Sequence, residues 1–257
     1  TLFRSRFSSA GFDTDMILNQ EPSYSNIVGS LSAAGLLGVS RALSKNTSFA
    51  SNDDSQYEWS WKLSKWDLPI SKNATKENEV IYKTLKQIHD FPMNLQDICL
   101  SSLLNAVDNK VSATNMSVKE FKQEGINWLK TISTVASIAE IANATGDNII
   151  PMTNQFSEKT EWFGEVEFSM FENLLLARQT TFGLINDRPI SSLPSDTAWM
   201  GALCDLVRYN NLARTNGEYQ KMVTSTMLVD VVSKKLQSSS LDMVAFKIGR
   251  ASCRERV

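Results

Sequence analysis

The sequence is short of the residues that most often carry chemistry. It holds one histidine, His89, in 257 residues, so neither a histidine pair for a metal nor a two-histidine relay can form. Its three cysteines, Cys99, Cys204 and Cys253, lie far apart and suggest neither a disulfide framework nor a metal cage, which fits a reducing compartment. Glycine occurs 11 times, and no G-x-G-x-x-G, G-x-x-x-x-G-K-[ST] or G-x-S-x-G pattern is present. No apolar run approaches the roughly 20 residues that a membrane helix needs. No initiator methionine or signal-peptide layout opens the chain, which is expected to be an internal piece of something longer. The four glycosylation-type triplets at Asn46, Asn73, Asn115 and Asn143 are read as chance.

The two ends stand apart. The opening "TLFRS" and the "IGRA" of residues 248–251 can be encoded by one oligonucleotide read in opposite senses, and both look like a common sequencing-library adapter that continues in frame through "SCRERV". Residues 1–5 and about 247–257 are therefore expected to be non-native, leaving 6–246 as the piece to be understood. Without those ends, five of 26 basic groups and one of 28 acidic groups drop out, so the remainder has a net charge near −6. Phosphate binding needs clustered Lys and Arg, so a mildly acidic piece argues against direct nucleic-acid binding.

What is present is helical periodicity. Val118, Phe121, Gly125, Trp128, Ile132, Val135, Ala139 and Ala142 recur at steps of three or four, one stripe on a long helix. Ser117 with Glu120 has the capping-box form, and Gly146 suits the left-handed residue after the helix. Further helices are predicted over 24–33 and 36–44 around Gly35, 56–65, 77–90, from Pro92 to about 111, 168–186, 195–215 and 218–237. Pro69, Pro92, Pro151, Pro189 and Pro194 punctuate their ends. Strand alternation rarely persists for five positions, and no Asn-Gly or Asp-Gly hairpin turn appears. The expectation is all-α: about nine helices in successive antiparallel pairs, an α-solenoid of tetratricopeptide-like hairpins.

Candidate reactive groups are few. His89 sits beside Asp90 at a predicted helix end, where a positive charge suits the helix dipole. An all-helical enzyme using His89 and a carboxylate is the weakest reading. Cys99 and Cys204 fall inside apolar helical patterns, as small core residues do. Glu161, Glu165, Glu167 and Glu172 read as a solvated face, and Ser55-Gln56 as a dipeptide in a polar loop that could accept phosphate. The sequence thus offers no catalytic, cofactor-binding or metal-ligating residue. Its most distinctive stretch is "YEWSWKLSKWDLP", with three of the six tryptophans in eight positions. Trp59, Leu63 and Trp66 are spaced i, i+4, i+7, while Tyr57 and Trp61 lie four apart on a neighbouring face. Bulky groups on two faces are what an inner solenoid helix needs, and each buried ring removes on the order of 150–250 Å² from water. A base-stacking platform would add more cations than Lys62 and Lys65.

That stretch, preceded by "NIVGSLSAAGLLGVSRALSKN" and followed by "NEVIYKTLKQI", resembles the N-terminal part of the FAT region of ATM-like kinases, the large phosphatidylinositol-kinase-related protein kinases, in their fungal telomere-maintenance branch. Tyr57, Glu58, Trp61, Trp66 and Asp67 occupy the family's Y-E-x-x-W-x-x-x-x-W-D pattern, and the likeness runs over most of 13–246. The resemblance implies a nuclear serine/threonine kinase that signals DNA breaks and maintains telomeres, with its kinase domain, and that domain's ATP and magnesium, beyond this piece. It implies that the segment is a non-catalytic scaffold without a cofactor or a membrane, packed against the kinase domain and adjacent solenoid repeats of one chain in a homodimeric parent. The alternative is a free-standing tetratricopeptide-like module that binds other proteins.

Overall fold

The computed structural model describes residues 27–32, 35–45, 54–70, 76–91, 118–144, 168–187 and 195–238, with short pieces at 74, 97–98, 100–102, 104, 151–152 and 155–156. Among them there is no strand, and the all-α expectation holds. The chain divides into two compact units, Thr1–Asn52 and Asp53–Val257.

In the first unit a helical piece at 27–32 turns at Gly35 into α1, Leu37–Lys45. Gly35 has φ 77°, its N–H donates to Ser32 O (2.9 Å), and the Leu36 N–H donates to Leu31 O (2.9 Å). This pair of bonds is a Schellman closure, which needs a left-handed residue. The fully buried Ser40 hydroxyl donates to Leu36 O (3.2 Å) within α1 and lies 3.4 Å from Val28 O across the turn.

The second unit holds α2 (Asp54–Lys62), α3 (Glu77–Asp90), α4 (Val118–Ala142), a 3-10 turn (Phe168–Met170), α5 (Glu172–Asp187), α6 (Ser195–Thr215) and α7 (Tyr219–Ser238). Each helix packs on the next, from α2 through α7, and α5 also reaches α2 and α3. Contacts mainly between consecutive helices are the solenoid pattern. On α3, Ile81, Leu85 and Ile88 are spaced i, i+4, i+7 and fully buried. They share one core with Trp61 and Tyr82 and with Ile138 of α4. Phe182 and Ile185 of α5 join Ile141 of α4 to Ala198 and Ala202 of α6. Leu203 and Leu206 of α6 meet Val232 and Leu236 of α7.

Several packed faces are not wholly apolar. Thr84, Thr131, Thr134 and Thr181 are buried, and each hydroxyl donates to the carbonyl four residues back, at 2.7–2.9 Å. The hydroxyl is thereby satisfied inside its own helix and the methyl is left to pack.

The predicted spans 77–90 and 195–215 are observed as such. Others differ for local reasons. The helix expected over 168–186 is broken: Phe168–Met170 is a tighter turn, closed by the Phe171 N–H on Phe168 O (3.0 Å), and α5 starts at Glu172 with a carboxylate at its positive end. Gly217 (φ 74°) ends α6 in a second Schellman closure, with the Glu218 N–H on Ala213 O at 2.8 Å, so α7 begins at Tyr219 rather than 218. Ser117, Gly146 and both chain ends lie outside the described residues.

The tightest approach between α5 and α6 is at Gly201, where an added Cβ would come 2.6 Å from the ring of Phe182, itself 1% exposed. Gly201→Val should therefore destabilise the chain by about 2–3 kcal/mol through overpacking. Urea unfolding followed by circular dichroism checks this, and an unshifted midpoint would contradict the close contact.

Candidate functional site

The tryptophan-rich stretch forms the seam between α2 and α3. Helix α2 ends at Lys62, three residues before the expected stop. Ser64 takes φ 52°, the Lys65 N–H donates to Ser60 O (2.8 Å) and the Ser64 N–H to Trp61 O (3.2 Å). This is again a Schellman closure, built on serine instead of glycine. The single face expected from Trp59, Leu63 and Trp66 is therefore corrected. Trp59 is buried in α2, Leu63 is half-buried in the turn, and Trp66 lies beyond it on an extended segment.

The centre of the seam is Trp61, which is fully buried. Its indole N–H donates to Asn78 Oδ1 (3.2 Å), and Asn78 Nδ2 donates to Asp54 Oδ2 (2.9 Å). The Asp54 carboxylate also accepts the backbone N–H groups of Glu79 (3.1 Å) and Asn78 (3.4 Å). Lys76, which precedes α3, makes no side-chain cap. Asp54, the first residue of α2, thus caps α3 across the hairpin, placing negative charge on orphan amides and the positive end of the dipole. Lys62 lies over the Trp61 ring (5.5 Å) and pairs with Glu58 (2.5 Å), so this cation is occupied within the hairpin.

Tyr82, also fully buried, fastens the segment after the turn. Its hydroxyl donates to Leu68 O (3.1 Å) and accepts the Leu68 N–H (2.9 Å). Tyr57 packs on Tyr82 (5.4 Å) and its hydroxyl lies 3.4 Å from Pro69 O. Burial, then the charges of Glu79 and Asp54, push the Tyr57 phenol above its ordinary value and keep it a neutral donor. Trp66 lies against Tyr82 (5.7 Å) and stacks on His89 (5.5 Å), and Lys86 Nζ donates to Trp66 O. His89 Nδ1 is 2.7 Å from Asp90 Oδ1, at the helix end where the sequence put it.

A second polar cluster went unnoticed in the sequence. Arg178 of α5 and Asp205 of α6 are 3% and 1% exposed, and they face each other at 4.0 Å. Arg178 also donates to Ser137 Oγ of α4 (3.2 Å) and lies over the Phe156 ring (3.8 Å), while Arg208 reaches Asp205 at 3.3 Å. Burial lowers the Arg178 pKa, opposed by the nearby Asp205 charge. Burial raises that of Asp205, and the two guanidiniums pull it back. The available signal was a lone charge inside each apolar run, "LLLARQ" and "LCDLV".

The third cluster joins α5, α6 and α7. Glu172 accepts from Tyr209 (3.2 Å) and from Lys221 (2.9 Å), and Lys221 lies over Phe168 (5.1 Å). Burial and Glu172 hold the Tyr209 phenol well above its usual range.

The remaining expected groups do not converge. Cys204 is partly buried, and burial raises its thiol pKa, which makes it a poor nucleophile. Ser55 and Gln56 lie in the first turn of α2, not in a loop. Cys99, Glu161, Glu165 and Glu167 lie outside the described residues. Among the described residues no group of three or more His, Cys, Asp or Glu is placed to hold a metal, and no helix is long and apolar enough to cross a membrane. Each cluster ties helices to one another.

The described residues are all-α, their polar groups join consecutive helices, and the fold matches the helical FAT region of solved Tel1 structures. It superimposes on the solved "FAT and kinase domain of CtTel1" with a TM-score of 0.75 at 18% identity, covering 90% of this chain and 16% of that one. On the "complete CtTel1 dimer with C2 symmetry" the TM-score is also 0.75, at 16% identity, covering 90% and 9%. By sequence the chain is 98% identical over 243 residues to the serine/threonine-protein kinase TEL1 of Candida albicans, across 95% of this chain and 8% of that protein. It is 34% identical to TEL1 of Debaryomyces hansenii over 91% of this chain and 8% of that protein. No protein-family model matches. An ATM-like TEL1 kinase fragment fits these likenesses, and the chain spans about a twelfth of the length of the relatives it matches.

Two outcomes test the roles of these clusters. Tyr82→Phe leaves both polar groups of Leu68 without their partner and should cost about 1–3 kcal/mol in urea unfolding. Asp205→Leu leaves Arg178 charged and buried, and should cost about 3–5 kcal/mol, most of it recovered in the Arg178→Met, Asp205→Leu double variant. Strictly additive losses would contradict a coupled pair.

Proposed function

We propose that this chain is a non-catalytic scaffold segment of the FAT region of a nuclear serine/threonine kinase of the ATM type, acting in DNA-damage checkpoint signalling and telomere length maintenance. The observation that carries this reading is the 98% identity to a TEL1 kinase along nearly the whole chain, together with a fold whose polar clusters join helix to helix. In this reading the segment packs with adjacent repeats and the kinase domain of the same polypeptide in a homodimeric parent. ATP and magnesium serve the kinase domain alone.

Activity separates a scaffold from an enzyme. The chain by itself, given ATP and magnesium, should transfer no phosphate to a serine or threonine peptide. In the full-length kinase, His89→Ala and Cys204→Ala should leave kcat within about twofold, because neither group touches a reacting atom. Trp61→Ala should lower the yield of folded kinase, since emptying such a site costs about 3–5 kcal/mol. Phosphoryl transfer by the chain alone, abolished by His89→Ala, would overturn the scaffold reading. In cells, removal of the segment in frame should shorten telomeres and blunt the response to DNA breaks.

A further inference from the structure

The turn between α6 and α7 carries the one Asn-Gly dipeptide of the chain, Asn216-Gly217, and both residues are exposed. Glycine has no Cβ to crowd the approach to its own nitrogen. Once hydroxide removes the Gly217 amide proton, that nitrogen can attack Cγ of Asn216. The new N–Cγ bond closes a five-membered succinimide, the Cγ–Nδ2 bond breaks, and Nδ2 takes a proton from water and leaves as ammonia. Water then adds to either ring carbonyl. Cleavage of the new N–Cγ bond gives aspartate at position 216, and cleavage of the original peptide bond gives isoaspartate. Water is the only co-reactant, and nothing is oxidised or reduced.

The fold engages both reacting groups. Asn216 Nδ2 donates to Leu212 O (2.8 Å), which draws the side-chain amide back along α6. The Gly217 N–H donates to Arg214 O (3.2 Å), so its proton is withheld from hydroxide as in a slowly exchanging amide. The Glu218 N–H on Ala213 O (2.8 Å) closes the turn around them.

We propose that Asn216-Gly217 is a latent deamidation site, held unreactive by the α6–α7 turn and modified only when that turn opens. Neither product restores the closure. Aspartate gives up the bond from Nδ2 to Leu212 O and puts a negative charge at the negative end of the α6 dipole. Isoaspartate adds a methylene to the backbone between positions 216 and 217, which shifts the Gly217 and Glu218 N–H groups off their carbonyls. The modification is therefore one-way and marks copies in which the turn has opened. This inference stands apart from the scaffold reading.

The test incubates the full-length kinase at neutral pH, in native buffer and in urea. The peptide carrying Asn216 is then mapped for the amide-to-acid mass change, and isoaspartate is detected by enzymatic carboxyl methylation. Deamidation should proceed in urea and be at least about tenfold slower in the native kinase, as local opening requires. As urea is added below the unfolding midpoint, the rate should rise in step with hydrogen exchange of the turn's amides. Asn216→Gln, which would need a six-membered ring, should stay unmodified in urea. Equal rates in native buffer and urea would show that the turn gives no protection. No reaction in urea would show that the dipeptide is inert, and a rate that does not follow hydrogen exchange would show a route that bypasses opening. Each of those results overturns the proposal, and none bears on the scaffold reading.

Discussion

Every inner helix of a solenoid has to be acceptable to two neighbours at once. A surface helix of a globular domain needs one apolar stripe, but α5 and α6 bury residues toward both the preceding and the following helix. That constraint explains why their sequences look only weakly amphipathic. It also explains why polar residues turn up in the interior, since two faces leave too little surface to hold them all.

The interior polar groups are handled by three devices. Threonine hydroxyls return to their own helix through the carbonyl four residues back, so Thr84 and Thr181 pack as if they were apolar. Side chains complete backbone that no helix can satisfy: buried Tyr82 takes both polar groups of Leu68, and half-buried Asp54 caps a helix that is not its own. Charges are matched between neighbours, as Arg178 and Asp205 are across α5 and α6. A buried pair of this kind adds little net stability, yet it fixes register, because any slip of one helix past the other strands a charge. These devices hold helix against helix and backbone against side chain.

The aromatic hairpin shows where reading by period succeeds and where it fails. Tyr57, Trp59 and Trp61 were legible as core because aromatic residues packed into nine helical positions have few other uses. Trp66 was misplaced because i, i+4, i+7 spacing assumes that the helix continues, and Ser64 ends it in a left-handed conformation that serine seldom adopts. The cap by Asp54 was illegible for a different reason. Its target lies 24 residues away, and a capping box is recognisable only when both partners are close in sequence.

What the sequence determined by itself was local: helical periodicity, turn glycines at 35 and 217, and the family likeness carried by the aromatic stretch. These follow from neighbours along the chain, where spacing is fixed by covalent geometry. What only the tertiary structure decided was which charge meets which. Arg178 and Asp205 lie on different helices, and their pairing depends on how α5 and α6 come together at Gly201.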